Sequence, residues 1–136
     1  MKKFETQICT TREQSKRLIG LGLKKETADM CWTGEVLQKK GDIVFAFTPD
    51  EWEDDIQPRW SLHRLIDLFP CLVQAKPCSV LLNIYKYGIS CTYTRLLSNE
   101  KEILEFDAYD NLYDNFIDAY EWAIDEGLVN KEYLNK

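Results

Sequence analysis

Histidine is nearly missing from this chain: His63 stands alone among 136 residues. That scarcity removes metal sites built on several imidazoles and any relay of two histidines. No Cys-x-x-Cys pair occurs among Cys9, Cys31, Cys71, Cys78 and Cys91. Their odd number and wide spacing argue against a secreted disulfide framework and against a zinc ribbon, so reduced thiols are expected. No apolar run approaches the ~20 residues that cross a bilayer. The stretch Met1-Lys2-Lys3-Phe4-Glu5-Thr6-Gln7 has no apolar signal segment after its basic pair, which predicts a cytoplasmic protein with no membrane association. Six glycines and four prolines are too few for a disordered chain. Gly20 and Gly22 are not followed by Gly-Lys-Ser/Thr and no strand precedes them, so they punctuate a helix rather than cradle a phosphate.

What is present is an ordinary globular composition, 45 % hydrophobic and 29 % charged. A chain of this length buries about two-thirds of its unfolded surface around one core, so a single domain over 1–136 is expected. Thr10 with Glu13 and Thr11 with Gln14 both meet the capping-box spacing, and the helix they open should close near Leu21 at the Gly20/Gly22 pair. Residues 31–37 and 43–47 read as a first β-hairpin. Pro49 and the acidic group Asp50, Glu51, Glu53, Asp54 and Asp55 then predict an exposed loop ending at Pro58. Ser61 suits an N-cap, Trp60 is spaced to staple onto Leu65, and Pro70 stops the short helix between them.

Residues 79–85 and 89–96 flank Lys86-Tyr87-Gly88 as a second hairpin, with Ile89, Cys91 and Tyr93 facing a core and Ser90, Thr92 and Thr94 facing water. A further strand is expected over 102–106. The strongest helical period runs from Asp110 to Glu126 and stops at Gly127, with Leu112, Phe116, Ala119, Tyr120, Ala123 and Ile124 as its apolar stripe. The expected class is therefore α+β: an antiparallel sheet built from two β-hairpins, with about three helices packed mainly on one face. The echo Tyr109-Asp110-Asn111, Tyr113-Asp114-Asn115 has a spacing of one helical turn and reads as two turns of one helix meeting the same demand.

The segments 11–23, Thr27-Ala28-Asp29-Met30, 60–70 and Asn111-Leu112-Tyr113-Asp114-Asn115-Phe116 together resemble a group of uncharacterised small proteins encoded on prophages and other mobile elements of gut anaerobes. The likeness spans most of the chain and rests on helix boundaries and core positions. It implies a genomic habitat and no particular activity.

The residues that could carry chemistry lack the arrangements it needs. A nucleophile pair of His63 with Cys71 or Cys78 lacks an orienting third group. Zinc held by Cys71, Cys78, Cys91 and His63 would need two ligands from one tight turn, and none is offered. The Asp50 to Asp55 group lacks the glycine and ligand order of an EF-hand loop. The four tryptophans and seven tyrosines fall at core spacing. No catalytic residue, metal or cofactor is expected.

Charge is the remaining signal. Residues 1–40 carry nine basic and five acidic side chains, and residues 41–136 carry eight basic and eighteen acidic, for a formal net charge of −6. On a helical wheel Asp110, Asp114, Asp118, Glu121 and Asp125 lie within about 80° of one another, with no Lys or Arg between Lys101 and Lys131. These five residues are the candidate partner-binding face. The reading is a non-enzymatic accessory protein that acts by protein–protein interaction, with a basic protein as the partner such a face fits. The alternative is a nucleic-acid-associated regulator using the basic N-terminal helix through Lys16, Arg17, Lys24 and Lys25, against which the acidic balance argues.

Overall fold

The structure, a computed structural model, describes residues 7–32, 37–39, 57–73, 78–86 and 88–135. Contacts gather into two compact units, Met1–Asp67 and Leu68–Lys136, each of which has its own sheet.

In the first unit helix α1 spans Arg12–Gly20. Thr11 and Gln14 complete the capping box: the Gln14 amide donates to the Thr11 hydroxyl at 3.2 Å, and the Thr11 amide donates to Gln14 Oε1 at 2.9 Å. The competing Thr10 box does not form because the Thr10 hydroxyl is engaged with Ser15 Oγ at 2.7 Å and accepts the Trp60 amide at 3.0 Å. At the other end Gly22 adopts φ 108°. Its amide donates to Ile19 O and the Leu23 amide to Leu18 O, a Schellman closure that brings two fully buried leucines to the helix end.

A 3-10 turn over Lys25–Thr27 leads into strand β1, Met30–Trp32. It pairs antiparallel with β2, Leu37–Lys39, on one side and β3, Gln57–Arg59, on the other. The first hairpin therefore turns earlier than expected: Leu37 lies on the return strand opposite Trp32 rather than at the end of the first arm. Residues 43–47 and the Asp50 to Asp55 group lie outside the described residues. Pro58, read as the end of a loop, sits instead within β3, where a residue without an amide hydrogen suits a sheet edge.

Helix α2, Leu62–Leu68, opens at Ser61, whose hydroxyl accepts the Arg64 amide at 3.1 Å. Trp60 and Leu65, the expected staple pair, are both fully buried. Ser61 does more than cap: its amide and its hydroxyl both donate to the Asp29 carboxylate.

In the second unit strands β4, Leu72–Val73, β5, Cys78–Ile84, β6, Ile89–Arg95, and β7, Glu100–Phe106, lie in that order as one antiparallel sheet. The two hairpins thus belong to separate sheets, a correction to the expectation of one, while the α+β class stands. The second hairpin forms from the expected arms, with Ile84 opposite Ile89 and the Tyr85 amide donating to Gly88 O at 2.8 Å. Ile89, Cys91 and Tyr93 are buried as expected, but Ser90, expected to face water, is buried as well, and Thr92 and Thr94 are half-buried. Four residues join β6 to β7, and Asn99 takes the left-handed position there at φ 60°, which asparagine tolerates better than most residues.

Helix α3 spans Leu112–Asp125. Asn111 caps it by accepting the Tyr113 and Asp114 amides at 2.9 and 3.2 Å. Gly127, at φ 71°, ends it with the same Schellman pair seen in α1, here Gly127 to Ile124 O and Leu128 to Ala123 O. Its buried residues are Tyr113, Asn115, Phe116, Ile117, Ala119, Tyr120 and Ala123, a wider set than the expected stripe, and Leu112 and Ile124 are only half-buried. Trp122 rests on Tyr93 of β6 and Phe106 of β7, with ring centroids 5.8 and 6.1 Å apart. Among the described residues no helix is long and apolar enough to cross a membrane.

Replacing Ser61 by Ala removes a cap bond and a bond to a carboxylate together. The expected loss is about 2 kcal/mol of unfolding free energy, above the ~1 kcal/mol typical of a cap alone. Urea denaturation measures it, and an unchanged midpoint contradicts the assignment.

Candidate functional site

The five acidic candidates divide between the α3 helix and the turn before it. Asp110 precedes the Asn111 cap and is exposed, so it does not share the helical wheel that the sequence assigns it. Asp114 and Asp118 are half-buried on the first two turns, and Glu121 and Asp125 are exposed on the last two. The four helical members follow one another at spacings of four, three and four residues, which places them on one face. Asp114 benefits from the positive end of the helix dipole. Asp125 meets the negative end, and no basic residue occupies the last turn to offset it.

The face is what the core leaves over. At about 100° per residue, the seven buried side chains of α3 spread over about 200° of its circumference, and the carboxylates fill much of the remainder. Asn115 is the polar exception within the buried arc. It is fully buried, and its side chain accepts the Tyr109 amide at 2.9 Å and donates to Tyr109 O at 2.8 Å. The tyrosine-aspartate-asparagine echo therefore serves two purposes: the first asparagine caps the helix and the second fastens the preceding turn to it.

His63 is exposed on α2. Cys9, Cys31, Cys78 and Cys91 are buried thiols outside any disulfide, and Cys71 is an exposed one. Burial pushes the Cys91 thiol up to about 12. Burial also raises Cys9, against the opposing pull of the Arg59 guanidinium beside it. Cys9 and Arg59 are a juxtaposition that sequence reasoning missed, since about fifty positions separate them and no motif links them. Arg59 donates from Nη1 to Thr10 O and from Nη2 to Gln57 Oε1, both at 2.9 Å, so its charge ties strand to helix start. A thiol whose pKa is raised is not an activated nucleophile. Among the described residues no three of His, Cys, Asp and Glu gather in metal-binding range.

The basic candidates of the first unit are more dispersed. Lys16 is exposed, while Arg17, Lys24 and Lys25 are half-buried. Arg12 is exposed one turn before Lys16, with Glu13 beside it.

No protein-family model matches the chain, and no curated protein or solved structure matches it either.

The thiol environments generate a graded expectation. Unfolded, unreduced protein should titrate five thiols, whereas the native protein should react rapidly at Cys71 alone. The folded Cys91 thiol keeps its proton above the ordinary value of 9.0, where the unfolded one loses it. Its contribution to stability is therefore whole below about pH 9 and declines as pH rises towards 12. Cys91→Ala should make the alkaline loss of stability shallower. Denaturation midpoints across that pH range check the slope, and two or more fast native thiols would contradict the burial pattern.

Proposed function

We propose that this chain is a small non-enzymatic accessory protein that works by binding another protein, and that its docking surface is the acidic face of α3. The observation that carries this reading is a helix with its other faces sunk in its own core and its remaining face given to Asp114, Asp118, Glu121 and Asp125. The second unit contains six basic and eleven acidic side chains, so its field as well as the face favours a cationic partner. A basic protein surface is the fitting counterpart, with nucleic-acid-binding proteins the extreme case because their sites are built for rows of phosphate. The habitat on a phage or mobile element rests on the sequence resemblance alone. The proposed location is the cytoplasm, on the ground that all five cysteines stand outside any disulfide, as suits a reducing compartment.

A nucleic-acid-associated regulator is the second reading, favoured by Arg12 and Lys16 standing exposed one turn apart on α1. The first unit as a whole balances eleven basic against twelve acidic side chains, which provides little long-range attraction for phosphate.

The deciding experiment compares the native protein with Asp114→Asn/Asp118→Asn/Asp125→Asn as matched baits for host proteins at low salt, with melting curves for both. The expected outcome is a variant of equal or higher melting temperature whose hold on a basic partner is weaker by about tenfold or more. A variant that keeps every partner reduces the face to a solvated one. Retardation of duplex DNA that Arg12→Glu/Lys16→Glu abolishes would transfer support to the second reading.

A further inference from the structure

Strand β7 forms one edge of the four-stranded sheet, and among the described residues nothing pairs with its outer side. It is seven residues long, contains no proline or glycine, and runs one-for-one against β6 without a bulge. Glu100, Lys101, Glu102, Ile103 and Glu105 are exposed, and Ile103 keeps 67 % of its surface in water. An edge of this length presents a row of backbone donors and acceptors at alternate residues, which natural sheets normally shorten, bend or guard.

The usual guard is charge, and the charges here have a particular order. Lys101, Ile103 and Glu105 lie on one face of the sheet, in rows with Thr94, Thr92 and Ser90 of β6. Leu81, itself 62 % exposed, continues the Ile103 row through Thr92. A second copy related by a twofold axis through Ile103 would run antiparallel to the first. It would set Ile103 opposite Ile103 and Lys101 opposite Glu105 twice over. The neighbouring registers fail. Centring on Glu102 opposes Glu102 with itself and Lys101 with Ile103, and centring on Leu104 opposes Ile103 with Glu105. On the face that carries Lys101, Ile103 and Glu105 the strand is thus complementary to its own reverse in one register, where a simple guard would repel in all of them. On the other face that register sets Glu102 opposite Leu104 and Glu100 opposite Phe106.

We propose that β7 is a self-association edge, through which two copies of this chain join as an antiparallel pair and extend the sheet from four strands to eight. This surface is separate from the acidic face of α3 and does not depend on the reading given to it. The apolar centre, flanked by two opposite-charge pairs, defines the register, and the backbone hydrogen bonds of the edge supply the attraction.

Lys101→Glu and Glu105→Lys provide the test, read by sedimentation equilibrium of the full chain across a concentration series. The native protein should be dimeric. Each single variant replaces both opposite-charge pairs by like-charge pairs and should weaken self-association about tenfold or more. Mixing the two single variants should restore a dimer, because the paired acidic positions of one variant would then face the paired basic positions of the other. The double variant should dimerise like the native protein. Both sites are exposed, so circular dichroism should show the native fold, and melting temperatures should be unchanged at concentrations where native and variant proteins are all monomeric. A native protein that remains monomeric throughout overturns the proposal. So does a dimer that either single variant leaves intact, or a mixture that fails to reassociate.

Discussion

The first unit depends on a reciprocal bond between Thr10 and Trp60. The Thr10 amide donates to Trp60 O at 2.8 Å, and the Trp60 amide donates to the Thr10 hydroxyl at 3.0 Å, joining two fully buried residues fifty positions apart. Strands of three residues and a nine-residue helix do not hold themselves together in water, so some long-range tie must fix their ends. Thr10 lies just before the α1 cap and Trp60 just before the α2 cap, so one exchange positions both helix starts. The Trp60 indole N–H then reaches Thr27 Oγ1 at 3.0 Å, which fixes the turn leading to β1. Arg64 Nε donates to Thr27 O at 2.7 Å and the Asp29 carboxylate accepts from Ser61, so the network closes on itself. Each polar group in it is satisfied by another, which is the condition for burying so many at small cost.

The second unit is held by different means. Its strands β5, β6 and β7 are seven residues long and its helix fourteen, and the principal contacts are apolar. Phe69 meets Phe116 and Tyr120 edge-on at 5.5 and 5.3 Å, the geometry aromatic quadrupoles favour. The α3 helix lies against β6 and β7, and small residues Ala119 and Ala123 on its buried side permit close approach. Among the described residues of this unit only Asn115 and Ser90 are buried polar side chains, and Asn115 bonds both ends of one residue's backbone.

How far the sequence discloses this follows from which signals are local. Capping boxes, Schellman glycines and the period of α3 are written within a few residues, and Thr11, Ser61, Gly22 and Gly127 act where those rules place them. The arms of the second hairpin are equally local, marked by strand-forming runs on either side of a short turn, although alternation alone puts Ser90 in water where it is buried. The division of the strands between two sheets is not local, because β3 joins β1 from beyond residues 43–47, which the sequence offers as a nearer partner. Nor is the choice between Thr10 and Thr11 as cap, which Trp60 decides from the far end of the unit. The helical part of the acidic face is legible as a wheel pattern. The same wheel misplaces Asp110 because it runs on past Asn111, a residue whose preference for caps is itself a stop signal.

Energetics separate what α3 needs from what it displays. Burying side chains the size of Phe116, Ile117 and Tyr120 stabilises by about 1.5–3 kcal/mol each, and all three are fully buried. Like charges at the spacings of Asp114, Asp118, Glu121 and Asp125 cost a few tenths of a kcal/mol per pair. The apolar gain exceeds the repulsion several times over, so the helix forms despite its acidic face. Stability alone would favour mixing Lys among those positions, since opposite charges at i, i+4 turn the same small cost into a small gain. A sequence that keeps four carboxylates together, with no cation between Lys101 and Lys131, gives up that gain on the surface where it would be simplest to obtain. Solubility asks only for net charge and does not ask that it be gathered on one helix. On the proposed reading, the clustering serves a surface recognised as a unit by a cationic partner, which would return through complementary charge what the helix gives up in pairing.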